Sequence, residues 1–215
     1  MQFRTMLIEL ISSSEFVKNQ NKELEQVYTG MLSALVSAID AKDDFLHNHS
    51  KNVAEIAQKI ARGMGLSSSE VKEIYYSALL HDIGKIGVRE STLNKSSPLT
   101  ESEWCEIKRH PIIGALILGH VPQYQSLADN VLYHHKHFNG NGYPETRLKG
   151  KNIPVGARII AVADAFDAMI SDRVYRKKMT IFEACQELKR CSGTQFDPDI
   201  VKAFIAIVCS EYQKN

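Results

Sequence analysis

SSSEVKEIYYSALLHDIGK, running from Ser67 to Lys85, decides how the rest of the chain reads. Ser67 followed three positions later by Glu70 is a capping box. The serine side chain satisfies a free N–H of the first turn, and the glutamate reaches back to the serine N–H. Tyr75-Tyr76-Ser77-Ala78-Leu79-Leu80 is apolar, so the His81-Asp82 pair that follows belongs inside the protein more readily than on its surface. Gly84 supplies backbone freedom to stop the helix. The stretch predicts a helix over 69–82 that ends on two side chains able to bind a metal.

The same punctuation recurs outward. Thr100 with Glu103, and Thr180 with Glu183, repeat the capping box. Pro111, Pro154 and Pro198 suit a first helical turn, where a missing N–H costs nothing, and Asp197 is a natural N-cap. These marks predict helices over 51–64, 69–82, 101–108, 111–119, 126–135, 154–170, 181–190 and 198–211. The Gly/Asn/Pro-rich region 136–152 reads as a loop, and few runs show strand periodicity. The expected fold is all-α: an N-terminal helical extension over 1–40 and a helical domain over 41–215.

In the extension, Phe3, Leu10, Val17, Leu24, Met31 and Ala38 recur every seven residues. Met6, Val27 and Ala34 fill the second seam position, but Ser13 and Gln20 are polar there. This heptad fits either a dimerising helix or an amphipathic helix covering its own core. Lys+Arg 26 against Asp+Glu 25 gives a formal charge of +1, which offers no support to bulk binding of nucleic-acid polymers or membrane surfaces. No apolar run approaches the roughly 20 residues of a membrane span, and the first residues lack a signal-peptide cleavage site. Cys105, Cys185, Cys191 and Cys209 form no CxxC pair, so reduced thiols in a cytosolic protein are expected.

The histidines carry the chemistry. His81 and Asp82 can bind one cation or bridge two if the helix end splays them, and imidazole with carboxylate suits divalent iron, manganese, cobalt or zinc. A surface His-Asp at a helix C-terminus would be stable without any metal. Adjacent His134 and His135 point about 100° apart on a helix. They can serve two ions in a shared cleft or bind one at a helix end. His49 opens a helix, and His110, before Pro111, should sit at a helix start with extended backbone. Asp164 lies in a nearly uncharged helix and needs a partner if buried. Lys136, Arg147, Lys149 and Lys151 would draw phosphates to the loop, where Tyr143 offers a stacking face; Arg173, Arg176, Lys177 and Lys178 form a second basic cluster.

Taken in order, the motifs resemble the HD-GYP domain, a subfamily of HD-type metal phosphohydrolases acting on cyclic dinucleotides. They are His49-Ser50, His81-Asp82-Ile83-Gly84-Lys85, His110-Pro111, His134-His135, Gly140-Asn141-Gly142-Tyr143-Pro144, Ala157-Arg158-Ile159, Asp164-Ala165-Phe166-Asp167-Ala168, Arg173-Val174-Tyr175-Arg176 and Phe196-Asp197-Pro198. The resemblance implies metal ligands at His49, His81, Asp82, His110, His134, His135 and Asp164, with Asp82 bridging two ions. It implies Lys85 beside the bridging water, and Tyr143, Arg173 and Arg176 on the substrate's phosphates and bases. Asp167, one turn from Asp164, would help protonate a leaving oxygen. Two departures stand out: Lys136 and Asn139 replace the usual Glu and Asp. Phe45 stands where some members place a Glu for a third metal, so two divalent ions, iron or manganese, are expected.

The implied activity is hydrolysis of cyclic di-GMP to the linear dinucleotide, with onward cleavage to GMP left open, in bacterial signalling. Another cyclic dinucleotide such as cyclic GMP-AMP is the near alternative. A non-catalytic sensor of cyclic dinucleotide or of a signalling partner protein is the alternative from another class; an HD-type nucleotidase is disfavoured by the intact Gly-Tyr-Pro.

Overall fold

The computed structural model describes residues 2–40, 48–171 and 178–212. Ten α-helices are described: α1 (Gln2–Asp40), α2 (His49–Gly63), α3 (Ser68–Leu79), α4 (Glu90–Leu93), α5 (Glu101–Ile107), α6 (His110–Gly119), α7 (Gln125–Tyr133), α8 (Val155–Ile170), α9 (Ile181–Arg190) and α10 (Pro198–Tyr212). Short 3-10 turns occupy Ile83–Gly87, Pro122–Tyr124 and Gly150–Asn152. Among the described residues β pairing is limited to two isolated bridges, so the fold is all-α. None of these helices is long and apolar enough to cross a membrane. The chain divides into two compact units, Met1–Ala38 and Ile39–Asn215. The first is the helix α1.

In the second unit the boundaries follow the punctuation. Ser67, Thr100 and Thr180 each complete a capping box, at the starts of α3, α5 and α9. Each such cap contributes about 1 kcal/mol. Asp197 caps α10 through the Asp199 N–H at 2.9 Å. Pro154 is the N-cap of α8, one position before the first turn in which the sequence placed it.

Helix α8 is the spine. Ala157, Ile159, Ile160, Val162 and Ala163 are fully buried, and α2, α3, α7, α9 and α10 all pack on it. Neighbours pack on it from several directions, which leaves little solvent for charged side chains. Helix α2 contributes a stripe of Val53, Ala54, Ala57, Ile60 and Ala61 at helical spacing. Arg158 pairs with the buried Asp197, tying α8 to the start of α10.

Three local expectations are corrected. Helix α3 stops at Leu79, before His81, and Gly84 is not what stops it. A Cβ on Gly84 would lie 1.9 Å from the His110 carbonyl oxygen, so this glycine is needed for close approach of the 83–87 turn to α6. His110 is helical, not extended: α6 begins there, and Arg109 before it is already in the right-handed region. The proline is tolerated because it falls in the first turn. Lys136 is 3% exposed and draws no phosphate from solvent. The loop after α7 is fastened by backbone bonds from Phe138 to Gln195, from Asn139 to Thr194 and from Gly150 to Phe138.

Candidate metal centre

Four helix ends meet beside α8. His49 opens α2, His81 and Asp82 follow α3, His110 opens α6, and His134 and His135 follow α7. Their rings touch in a chain, with centroids 5.4 Å apart for His49–His81, 5.2 Å for His81–His134 and for His110–His134, and 4.0 Å for His134–His135. Asp164 Oδ1 lies 3.2 Å from His49 Nε2. Asp82 spans the group: Oδ2 is 3.3 Å from His81 Nε2 and Oδ1 is 3.3 Å from His110 Nε2. Lys85 Nζ sits 2.9 Å from Asp82 Oδ2. The structure thus brings together all seven expected ligands, with Lys85 against the bridging candidate. Asp164 has the partner its burial requires.

The orientation of the rings comes from the helix ends. His81, His110 and His134 each donate Nδ1–H to the carbonyl three residues earlier, Ala78 at 2.7 Å, Ile107 at 2.8 Å and Val131 at 2.6 Å. A carbonyl only accepts, so each ring carries a proton on Nδ1, and in its neutral form its Nε2 presents a lone pair to the cleft. His110 Nε2 and His134 Nε2 then face each other at 3.3 Å with no proton between two neutral rings. Two lone pairs at that range repel, and a cation between them removes the conflict. The donor set therefore fits divalent metal. Within each of two groups the ligand atoms lie within 4.8 Å of one another: His49, His81 and Asp82 in one, and His110, His134 and His135 in the other.

The two groups differ in charge. Burial alone would push His49 down, but hydrogen bonds to Asp164 and Asp167 outweigh it and hold it up at about 10. His81, also opposed by burial, is raised by Asp82. Burial would raise Asp82, yet Lys85 and His81 hold its carboxyl well below the usual range. In the other group burial pushes His135 down to about 3, and His110 and His134 are also lowered.

Tyr143 closes one wall. Its ring lies 4.7 Å from His135, centroid to centroid, and 6.4 Å from His110. Burial, with Asp82 and Asp164 nearby, raises its pKa, so the hydroxyl keeps its proton. Gly142 has φ 77, and a Cβ there would meet the His135 carbonyl at 2.2 Å, so the loop can press against the histidine pair only through glycine. Asp167 is placed otherwise than expected: Oδ2 accepts from His49 Nδ1 at 2.7 Å. Arg173, Arg176 and Phe45 lie outside the described residues. Sequence reading missed the three carbonyl latches. Their signal was available, since Ala78, Ile107 and Val131 each precede a histidine by three at a helix end.

An all-helical domain whose helix ends aim imidazoles and aspartates into one cleft defines the class of histidine–aspartate metal domains. The chain belongs to the HD domain family, whose model matches residues 33–200, and within it to the HD-GYP branch. It is 38% identical over 187 residues to a cyclic di-GMP phosphodiesterase of Thermotoga maritima, covering 86% of this chain and 50% of that protein. It is 37% identical over 212 residues to the cyclic di-GMP phosphodiesterase response regulator RpfG of Xanthomonas campestris pv. campestris, covering 93% and 56%. The chain therefore spans about half the length of the curated relatives it matches. Among solved structures, a cyclic GMP-AMP specific phosphodiesterase of V. cholerae superimposes with a TM-score of 0.65 at 23% identity, covering 83% of this chain and 48% of that one, which shows the shared fold.

Proposed function

We propose that residues 41–215 form a cyclic-dinucleotide phosphodiesterase that opens cyclic di-GMP to the linear dinucleotide. The observation that carries this reading is the convergence of bare Nε2 lone pairs and Asp82 on one cleft, with Lys85 beside it. His49, His81, Asp82 and Asp164 would hold one divalent ion, and Asp82, His110, His134 and His135 a second, iron or manganese. When bound, the pair supplies Lewis acidity and a water acidified toward neutral pH. Lys85 has no lone pair to coordinate with when protonated, so it holds Asp82 and offsets charge on a phosphoryl oxygen. Tyr143 keeps its proton and can donate to the substrate from the wall of the cleft. Arg173 and Arg176 are assigned to the phosphates on sequence grounds. The chemistry belongs in the cytoplasm, where bacterial second messengers act.

The test is metal analysis of protein purified without oxygen, paired with product chromatography on cyclic di-GMP, cyclic GMP-AMP and a generic ester such as bis(p-nitrophenyl) phosphate. About two metals per chain and a linear dinucleotide product support the reading. Metal without turnover of any cyclic dinucleotide would turn it to a sensor, and preference for cyclic GMP-AMP would move the substrate.

We also propose that α1 pairs with a second copy of itself. Val17, Leu24, Val27 and Met31 of the heptad are exposed, at 56–69%. The polar seam positions Ser13 and Gln20 make the pair weak. Light scattering should find a concentration-dependent dimer that deletion of residues 1–28 abolishes. A strict monomer at high concentration would reject it.

A further inference from the structure

We infer that Asp167 is the positioning residue of His49, acting on one of the two cation sites through that ring and supplying no proton to the substrate. The inference rests on the metallohydrolase reading above. Its starting point is a difference between the histidines. His81, His110 and His134 are each oriented by the carbonyl three residues earlier in the chain. His49 is the first residue of α2, preceded by Asn48 in the left-handed region at φ 63, so no turn of its own helix lies before it. Its Nδ1 is held instead from α8, by Asp167 Oδ2 at 2.7 Å. The same helix places Asp164, one turn earlier, on the opposite nitrogen at 3.2 Å. His49 is thus clasped between two carboxylates of α8, with Asp164 on the cleft side and Asp167 behind.

That position decides what Asp167 does. It is 3% exposed, and its oxygen on His49 also lies 3.4 Å from the Ser171 hydroxyl. The His49 ring stands between it and the cleft, so a proton on Asp167 would have to cross that ring to reach a leaving oxygen. A carboxylate accepts a stronger hydrogen bond than a carbonyl and makes the far nitrogen a better donor. It also fixes the tautomer, keeping the proton on Nδ1 and the lone pair on Nε2. The effect is local. His49 belongs to the group with His81 and Asp82, whereas His110 and His134 of the other group have backbone carbonyls behind their rings.

The experiment is titration of the metal-free full chain with Mn2+ by calorimetry, for wild type, Asp167→Asn and Asp167→Ala. Asparagine keeps an acceptor but loses the charge. We expect Asp167→Asn to bind two ions with one of them weakened about tenfold, and Asp167→Ala to weaken the same ion further, toward 100-fold. The other ion should be unaffected in both. The isosteric Asp167→Asn carries the test if the alanine variant fails to fold. Two ions at wild-type affinity in Asp167→Asn and in folded Asp167→Ala would overturn the inference, and a fall in turnover on that background would mark a proton donor. Equal weakening of both ions would overturn it too, by making Asp167 a general structural support. Wild type that binds no ion would sink the metallohydrolase reading itself, a failure distinct from either.

Discussion

The two halves of the centre are built from similar helix ends and carry opposite electrostatics. His49, His81 and Asp82 lie among carboxylates, and their imidazoles are held toward the protonated form when no metal is present. His110, His134 and His135 crowd one another away from solvent and are held neutral. The first half is a carboxylate-rich seat in which a cation would take the place of the imidazole protons. The second is a neutral seat with lone pairs already bare. Asp82, touching His81 and His110, joins them. A pair of ions in this cleft would therefore be held for different reasons and should part company under mutation and pH.

The most damaging break is Asp82→Ala, which removes the proposed shared ligand. At least one metal per chain and all hydrolysis should be lost while circular dichroism keeps its helical signal; full metal content with wild-type turnover would refute the bridging assignment. His135→Ala strikes the neutral half alone. Metal analysis should show one ion lost and the other kept, and loss of both would mean that the halves are not separable. Lys85→Ala leaves both halves intact. Its metal content should match wild type while kcat drops by about 100-fold, the scale of removing one electrostatic donor.

The halves should also separate in the metal-free protein's response to pH. Unfolded His135 takes up a proton near pH 6.5 that the folded residue refuses until about 3, so folded stability falls as pH drops through that window. His49 works in reverse. Folded, it keeps its proton to about 10, so its contribution is present below 6.5 and is lost as pH rises toward 10. Thermal melts should give a Tm maximum near neutrality. His135→Ala should flatten the acid limb and His49→Ala the alkaline limb; unchanged limbs would remove the electrostatic distinction. The smallest effect on metal binding is expected from Tyr143→Ala. The ring packs on His135, so it should weaken the neutral half's ion by severalfold and leave the other alone. Cyclic dinucleotide binding should fall further, by about 1–3 kcal/mol if bases stack there.

Most of this could be seen in the sequence because helices announce their ends. Capping boxes at Ser67, Thr100 and Thr180 fall where the helices begin, and the histidines that matter sit beside such ends. What could not be seen was direction. Asp164 and Asp167 share a helix face, yet one points a carboxylate at the cleft side of His49 and the other at its back. Spacing alone does not separate those cases, because the answer depends on where α2 crosses α8. Lys136 read as a solvated cation and is buried, since the 136–142 bridge folds the loop over it. His110 read as extended because local proline sterics were weighed alone, whereas it opens α6.

Gly84 shows what such a centre demands of residues that have no chemistry. The 83–87 turn carries Asp82 on one side and meets the first turn of α6, with His110, on the other; no atom beyond the glycine backbone fits between the His110 carbonyl and that turn. The separation of the two seats is therefore gauged by the thickness of a bare peptide. A genetic screen for lost activity should return this position alongside the proposed ligands, though a glycine offers no ligand side chain of its own. A designer wishing to widen the cleft for larger ions would find a single added methyl to be the smallest shim available.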